Sequence, residues 1–162
     1  QAGTHGEGAE YDVFPEVLGE PYMTRRRTVG YGLYDLAGIA RNDRAGRAKQ
    51  MFRNFEFFDA PVGMIFTIDR KFGSAQWSDL GMYIQTIALL ALDHGLATCM
   101  LEAWANWYRT LPELLSIPDN EMVFCGLAVG YEDTGAVVNT LRAERAGLED
   151  VKFFGFEAEL SP

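Results

Sequence analysis

The sequence predicts a single domain with three layers, of the α/β or α+β class, built around a mixed sheet. Three apolar runs, at residues 62–69, 97–101 and 122–129, have the length and composition of buried strands. A helix that is apolar on almost every face, centred on residues 80–92, lies between the first two runs. No internal repeat and no linker interrupts the 162 residues, which suffice for one domain with its own core.

The N-terminal part begins with an arm and a helix. Residues 1–10 are rich in glycine and lack periodicity, which predicts a flexible arm. Pro21 suits the first turn of a helix that stops near Gly38. This helix carries three consecutive arginines, residues 25–27, a pattern that invites a phosphate-binding role. At about 100° per residue they spread over most of the helix surface, so a solvated face is the stronger interpretation.

A second helix should begin after Asn42 or Asp43, either of which can cap it, and end before Pro61. Its periodicity predicts a set of inward apolar positions, namely Ala48, Met51, Phe52 and Phe55. The run at 62–69 follows Pro61 and should form a buried strand.

The central helix is predicted to be buried on all sides. Ser78 can cap its start, with Asp79 in the first turn, where the helix dipole favours negative charge. His94 lies in the last turn and Gly95 is the expected C-terminal cap. Residues 97–101 then form a buried strand that ends in small and polar residues. Strand ends of this kind open into ligand crevices in α/β folds.

Beyond this strand the sequence predicts a short helix at 106–115, a buried strand at 122–129, and a charged segment at 141–145. The last residues, 151–162, form an extended tail with three phenylalanines between positions 153 and 156. Such a tail is expected to pack on something, for which a second subunit is a candidate.

Composition excludes several classes of protein. The net charge of −9 is opposite to that of a typical nucleic-acid binder, and no span long enough to cross a bilayer is present. Cys99 and Cys125, each inside an apolar run, are predicted to be buried free thiols, which indicates a reducing, cytoplasmic location.

The motifs of metal, hydrolytic and phosphate-loop chemistry are absent. Asp93 and His94 could form a catalytic pair, but a helix-terminal histidine that satisfies a carbonyl is the better interpretation. No metal ligands and no catalytic side chains are therefore assigned. If the chain is an enzyme, a cofactor is expected to carry the chemistry.

Two stretches are candidates for binding. At the strand exit, Leu101, Glu102 and Ala103 precede Trp104, and a flat aromatic ligand could lie against them. The alternative is a core tryptophan beside a surface glutamate. In the segment 139–145, Arg142 and Arg145 are spaced three apart, so they could grip a phosphate. The alternative there is a solvated charge run.

These stretches also carry a family resemblance. In order along the chain, five pieces resemble FMN-dependent nitroreductases of the nitrobenzoate-reductase type: RRRTVGYGLY (25–34), NFEFFDAP (54–61), DLGM with GLATC (79–82 and 95–99), CGLAVGY (125–131) and NTLRAER (139–145). The resemblance covers nearly everything from residue 11 to residue 156.

The resemblance implies an α+β, three-layer α/β/α nitroreductase-like fold with a mostly antiparallel central sheet. It implies a homodimeric flavoprotein that passes electrons from NADH or NADPH through FMN to nitroaromatic or quinone-type acceptors. At the strand exit beside Leu101, the backbone at Glu102 and Ala103 would meet the flavin edge. Arg145, helped by Arg142, would bind the FMN phosphate.

The resemblance also predicts what this chain lacks. Family members begin with an Arg-Arg-Ser phosphate-binding segment and a later Ser-Gly-x-Asn-x-Gln-Pro-Trp segment, and neither is in these 162 residues. Roughly the first third of a typical member is therefore missing, and the chain is expected to be either a fragment whose N-terminal part lies elsewhere or a short relative with a damaged site. The alternative function is a non-catalytic, flavin-free dimerisation fragment of such a protein.

Overall fold

The computed structural model describes residues 6–148. Within that range the helices are α1 (Tyr22–Leu36), α2 (Arg44–Phe52), α3 (Ser74–Asp93) and α4 (Thr110–Leu115). The strands are β1 (Val62–Asp69), β2 (Ala97–Leu101) and β3 (Glu121–Gly130), and shorter 3-10 turns occupy Arg53–Asp59, Glu102–Asn106 and Val137–Thr140.

The strands form one sheet in the order β1-β3-β2. Both pairings are antiparallel, with Val62 opposite Val129 and Leu101 opposite Gly126. The predicted bounds of β1 and β2 are confirmed, and β3 is one residue longer at each end. The mostly antiparallel character is also confirmed. Within residues 6–148, no strand of the sheet pairs in parallel, so the parallel part of a mixed sheet is not found there.

Helix α3 covers one face of the sheet. Ile84 packs with Phe66, Cys125 and Leu127 in a cluster where Ile84 and Leu127 are 2% and 0% exposed. Fully burying an aliphatic side chain of this size stabilises the fold by about 1.5–3 kcal/mol, so this cluster is the centre of the core.

An aromatic layer covers the opposite face, where Gly63 and Gly126 lie on neighbouring strands. A Cβ on Gly126 would come within 2.3 Å of Trp104 Cδ1, and one on Gly63 within 2.5 Å of the Phe57 ring. The Phe57 and Trp104 rings stack with centroids 4.8 Å apart. Two 3-10 turns therefore form the third layer, seated on glycines that leave room for them.

The start of α3 corrects one prediction. The helix begins at Ser74, four residues before the expected cap Ser78, whose hydroxyl instead donates to the Ser74 carbonyl at 3.1 Å. The Gly73 N–H donates to the Gln76 side chain at 3.2 Å and closes the N-terminal turn. At the other end Gly95 has a φ of +71°, as expected for a glycine that ends a helix.

The prediction that α3 is buried on all sides is wrong for this chain. Its buried residues are Ile84, Ala88 and Ala91, which form a single stripe. Large apolar side chains on the rest of its surface are 56–65% exposed, namely Met82, Tyr83, Leu89, Leu90 and Leu92. A three-stranded sheet can cover only one face of the helix. The sequence of α3 therefore has more apolar positions than the described part of this chain buries.

Helices α1 and α2 contain no buried residues. Asp43 caps α2 as predicted, since its carboxylate accepts from the Gly46 N–H at 2.8 Å. The inward orientation predicted for Met51 and Phe52 is wrong, because these side chains are 42% and 48% exposed. The α-helix ends at Phe52 and the chain continues as a 3-10 turn, in which residues 57–59 have φ between 49° and 65°.

Residues 6–10 differ from the expected flexible arm. The Glu7 N–H donates to the Asn106 carbonyl at 2.7 Å, and the Glu7 carboxylate accepts from the backbone N–H groups of Arg109 and Thr110 at 2.9 and 3.1 Å. Glu10 forms an ion pair with Arg70. Residues 1–5 and the tail predicted at 151–162 lie outside the described range.

Strand β2 lies at the edge of the sheet and is only partly covered. Cys125 is buried as predicted, but Cys99 is exposed and Met100 is 49% exposed, so the prediction of a fully buried strand is wrong. Within the described range, no helix is long and apolar enough to cross a membrane.

Candidate functional site

A cleft of about 590 Å³ opens where the exit of β2 meets α1 and α2. Its volume lies in the range of small-molecule sites. Ten residues from four parts of the chain line it: Val13, Phe14, Arg26, Met51, Asn54, Phe55, Met100, Glu102, Ala103 and Asn106.

The β2 exit forms a firmly placed wall of this cleft. Leu101 is 2% exposed and pairs with Gly126 of the central strand, which fixes where the following turn begins. Trp104 lies against Gly126 on the far side of that turn. The Asn106 side chain donates to the Ala103 carbonyl at 3.2 Å. Glu102 and Ala103 are therefore held between two anchored residues.

Few polar groups of the cleft are free to meet a ligand. The Asn54 amide donates to the Met51 carbonyl at 2.8 Å, and the Asn106 amide is used at Ala103. Arg26 and Glu102 are the charged residues among those lining the cleft. The Arg26 guanidinium lies 4.4 Å from the centre of the Phe14 ring, a cation–π contact that orients it.

Behind this wall lie two titratable groups whose pKa values are raised. Burial raises the pKa of the Cys125 thiol to about 11, and the charge of Glu102 adds to the effect. Burial also raises the pKa of Tyr11, with smaller contributions from Cys125 and Glu102, and the Tyr11 hydroxyl donates to the Phe124 carbonyl. Both groups are protonated at neutral pH, so neither is a nucleophile or a base there.

The structure brings together some of the predicted site residues. Glu102 and Ala103 line the cleft, and Leu101 lies buried directly behind them. Arg142 and Arg145 do not line it. The Arg142 side chain donates to the Asn139 and Leu141 carbonyls at 2.6 and 3.1 Å, and that of Arg145 to the Ala143 carbonyl at 3.3 Å. Both arginines thus turn back onto their own segment.

Comparison with known proteins places this geometry in a family. A model of the nitroreductase family matches residues 12–131, which include all three strands and all ten residues that line the cleft. The chain belongs to the nitroreductase family. A solved FMN- and NADPH-dependent nitroreductase, NfnB from sphigopyxis sp. strain HMH, superposes with a TM-score of 0.88 at 41% identity. The match covers 91% of this chain and 67% of that one. The α+β nitroreductase-like fold is thereby confirmed.

Curated relatives of this nitroreductase-family chain act on different nitroaromatics. It is 40% identical to the chloronitrobenzene nitroreductase of Comamonas testosteroni, over 91% of this chain and 65% of the relative. It is 38% identical to the 4-nitrobenzoate reductase of Pseudomonas putida, over 88% of this chain and 63% of the relative. The chain therefore spans just under two thirds of the length of these two relatives.

Sequence reasoning missed part of the cleft lining, above all Arg26, Asn54 and Phe14. The run of arginines at 25–27 was the available signal for Arg26. The prediction that these arginines form a solvated face is confirmed, since all three are exposed. The sequence alone does not indicate which of the three arginines faces the cleft.

Proposed function

We propose that this chain forms the flavin site of an oxidoreductase that uses FMN to pass electrons from NADH or NADPH to nitroaromatic or quinone-type acceptors. The observation that carries the proposal is the cleft at the β2 exit, where Glu102 and Ala103 are held between Leu101 and Trp104. The chain is also 41% identical to a solved nitroreductase that is described as FMN- and NADPH-dependent, which supports the same cofactors here.

The residues of the cleft fit the ring system of a flavin. A flat, mostly apolar ring needs apolar walls and a few polar groups at its edge. Met51, Phe55 and Met100 supply apolar surface, and the anchored turn at Glu102 and Ala103 supplies backbone at the edge. Bound FMN would supply the redox chemistry, since it accepts hydride from a nicotinamide and passes electrons to the acceptor.

The phosphate end of FMN would be held by Arg145, helped by Arg142, as the family resemblance implies. In this chain neither guanidinium group lines the cleft, and within residues 6–148 both donate to nearby carbonyls, at 2.6–3.3 Å. We assign them to a phosphate at a cleft shared with a second copy of the chain. A charge-assisted hydrogen bond to phosphate is stronger than the carbonyl contacts it would replace.

The role of the protein in this reaction is to bind and orient. Tyr11 and Cys125 are buried behind the wall, and their raised pKa values leave them protonated at neutral pH. Neither group lines the cleft, so neither is placed to donate a proton to a ring bound there. The anchored turn instead fixes the position of the ring edge, and the apolar walls exclude water from it.

A homodimer is part of the proposal. The exposed face of α3, with five large side chains 56–65% exposed, lies next to the partly exposed strand β2. Burying such a side chain from full exposure is worth about 1.5–3 kcal/mol, and somewhat more than half of this remains to be gained at each of the five, which is a strong drive for association. We expect α3 near a two-fold axis, with an interface above about 2,000 Å² in total. The unpaired thiols of Cys99 and Cys125 support a reducing compartment such as the cytoplasm.

The test begins with colour and turnover. The purified protein should absorb in the flavin bands, release FMN on denaturation, and oxidise NADH or NADPH when FMN and a nitrobenzoate are present. Sedimentation at micromolar concentration should give a dimer. A protein that neither carries nor takes up flavin, yet sediments as a dimer, would instead support the flavin-free dimerisation module.

A further inference from the structure

The charge on Arg26 is placed to receive an anion. Among the described residues lining the cleft, Arg26 alone carries a positive charge. Within residues 6–148 no ion pair joins its guanidinium to a carboxylate, and its contact is with the face of the Phe14 ring. A cation–π contact holds the guanidinium beside the ring without using its N–H donors, so with respect to the described residues these donors remain available to a ligand.

The other charges around the cleft disfavour an anionic ligand. The chain carries a net charge of −9, and Glu102 adds a carboxylate inside the same cleft. Both oppose the approach of a negatively charged acceptor. The amides of Asn54 and Asn106 each donate to a carbonyl of the chain and carry no charge, so Arg26 is the cationic donor among the described residues that line the cleft.

We infer that Arg26 is a specificity-determining residue, which selects aromatic acceptors that bear a carboxylate over neutral acceptors of the same shape. The inference rests on the proposed function, since the acceptor must enter this cleft. A guanidinium binds a carboxylate through two parallel N–H donors, a geometry that a neutral ring substituent does not match. The acceptor's ring would lie towards the apolar walls, with its carboxylate towards Phe14 and Arg26.

The test compares 4-nitrobenzoate with 4-nitrobenzamide, which is nearly the same shape and neutral. Their affinities for the flavin-loaded protein are measured by calorimetry without NADH or NADPH, so that binding is read apart from turnover. The ratio of kcat/KM for the two acceptors is measured in parallel. For Arg26→Gln, the preference for the anion should fall about 1.5- to five-fold in both measurements, the range for an exposed charged contact. Arg26→Lys should restore part of the preference.

Arg41 supplies a matched control. Its guanidinium also lies over an aromatic ring, 4.3 Å from the centre of Tyr31, but it does not line the cleft. Arg41→Gln removes the same charge and the same kind of contact, and should leave the preference for the anion as it is. Raising the salt concentration should weaken the preference in the unmodified protein more than in Arg26→Gln.

Other outcomes overturn the inference in distinguishable ways. If Arg26→Gln keeps the acceptor preference but weakens binding of NADPH relative to NADH, the anion is the phosphate of the dinucleotide. If the substitution weakens the binding of FMN relative to that of riboflavin, the anion is the flavin phosphate. If Arg26→Gln changes the relative affinity in none of the three pairs (the two acceptors, NADPH and NADH, FMN and riboflavin), Arg26 binds no anion. Absence of both flavin binding and turnover in the unmodified protein would instead refute the proposed function.

Discussion

Substituting Gly126 by alanine tests whether the aromatic layer and the site wall form one unit. The new Cβ would lie 2.3 Å from Trp104 Cδ1, whereas carbon atoms in contact are normally about 3.5–4.0 Å apart. The indole has little room to retreat, since it stacks on Phe57 and meets Phe55 edge-on with centroids 5.3 Å apart. The strand cannot withdraw either, because β3 is paired on both edges.

Overpacking of this kind costs about 1–3 kcal/mol and sometimes more. For a domain of this size that corresponds to a fall in Tm of about 2–12 °C. Gly81→Ala is the matched control, since nothing lies within 4 Å of the added Cβ and the site is inside α3. There alanine should stabilise by about 0.5–1 kcal/mol.

The assay is urea and thermal unfolding, with flavin affinity measured on the same samples. Gly126→Ala should bind FMN less tightly, because Trp104 follows Ala103 directly and its displacement moves the wall. Trp104→Phe in the same chain should recover part of the stability, which a double-mutant cycle would report as coupling. Equal stability of Gly126→Ala and the unmodified protein would refute the packing argument.

Substitutions at four further residues test the cleft and its supports. Arg145→Ala should weaken FMN binding by about 1.5–3 kcal/mol, and Arg142→Ala by less; unchanged fluorescence quenching of flavin by Arg145→Ala would contradict its assignment to the phosphate. Ala103→Pro, which removes the backbone N–H of the wall, should weaken FMN binding more than Ala103→Gly does, as read by the same titration. For Glu7, hydrogen bonds from the Thr110 hydroxyl and two backbone N–H groups lower the carboxyl pKa below its ordinary 4.5. Its contribution to stability is therefore present above pH 4.5 and lost as pH falls through the lower folded pKa, so the unfolding midpoints of Glu7→Gln and the unmodified protein should converge in acid.

The strands were predictable because their signal is local. Each is a continuous apolar run between turn residues, and β1 and β2 begin and end where the sequence indicates. The end of α2 was not predictable from periodicity. Residues 57–59 leave the helix with positive φ so that Phe57 can stack on Trp104, and this partner lies 47 positions further along the chain. Tertiary packing decides that turn.

The candidate site divides in the same way. The turn at Glu102 and Ala103 was predictable because a buried strand that ends in small and polar residues marks a crevice, and the structure places both in the cleft. Arg26 was not, because three consecutive arginines point in three directions. The rotation of α1 about its own axis, which the sequence does not give, decides which of them faces the cleft.

The two walls of the cleft differ in how they are held, and burial explains the difference. The wall at Glu102 and Ala103 continues from Leu101, which is 2% exposed and hydrogen-bonded into the central strand. The opposite wall comes from α1 and α2, which contain no buried residues. Segments with few buried contacts have low local stability and accept substitution more readily. We therefore expect the edge of the cofactor, which must stay in one position, to bind at the wall formed by Glu102 and Ala103. Discrimination between acceptors belongs to the opposite wall, where Arg26 lies.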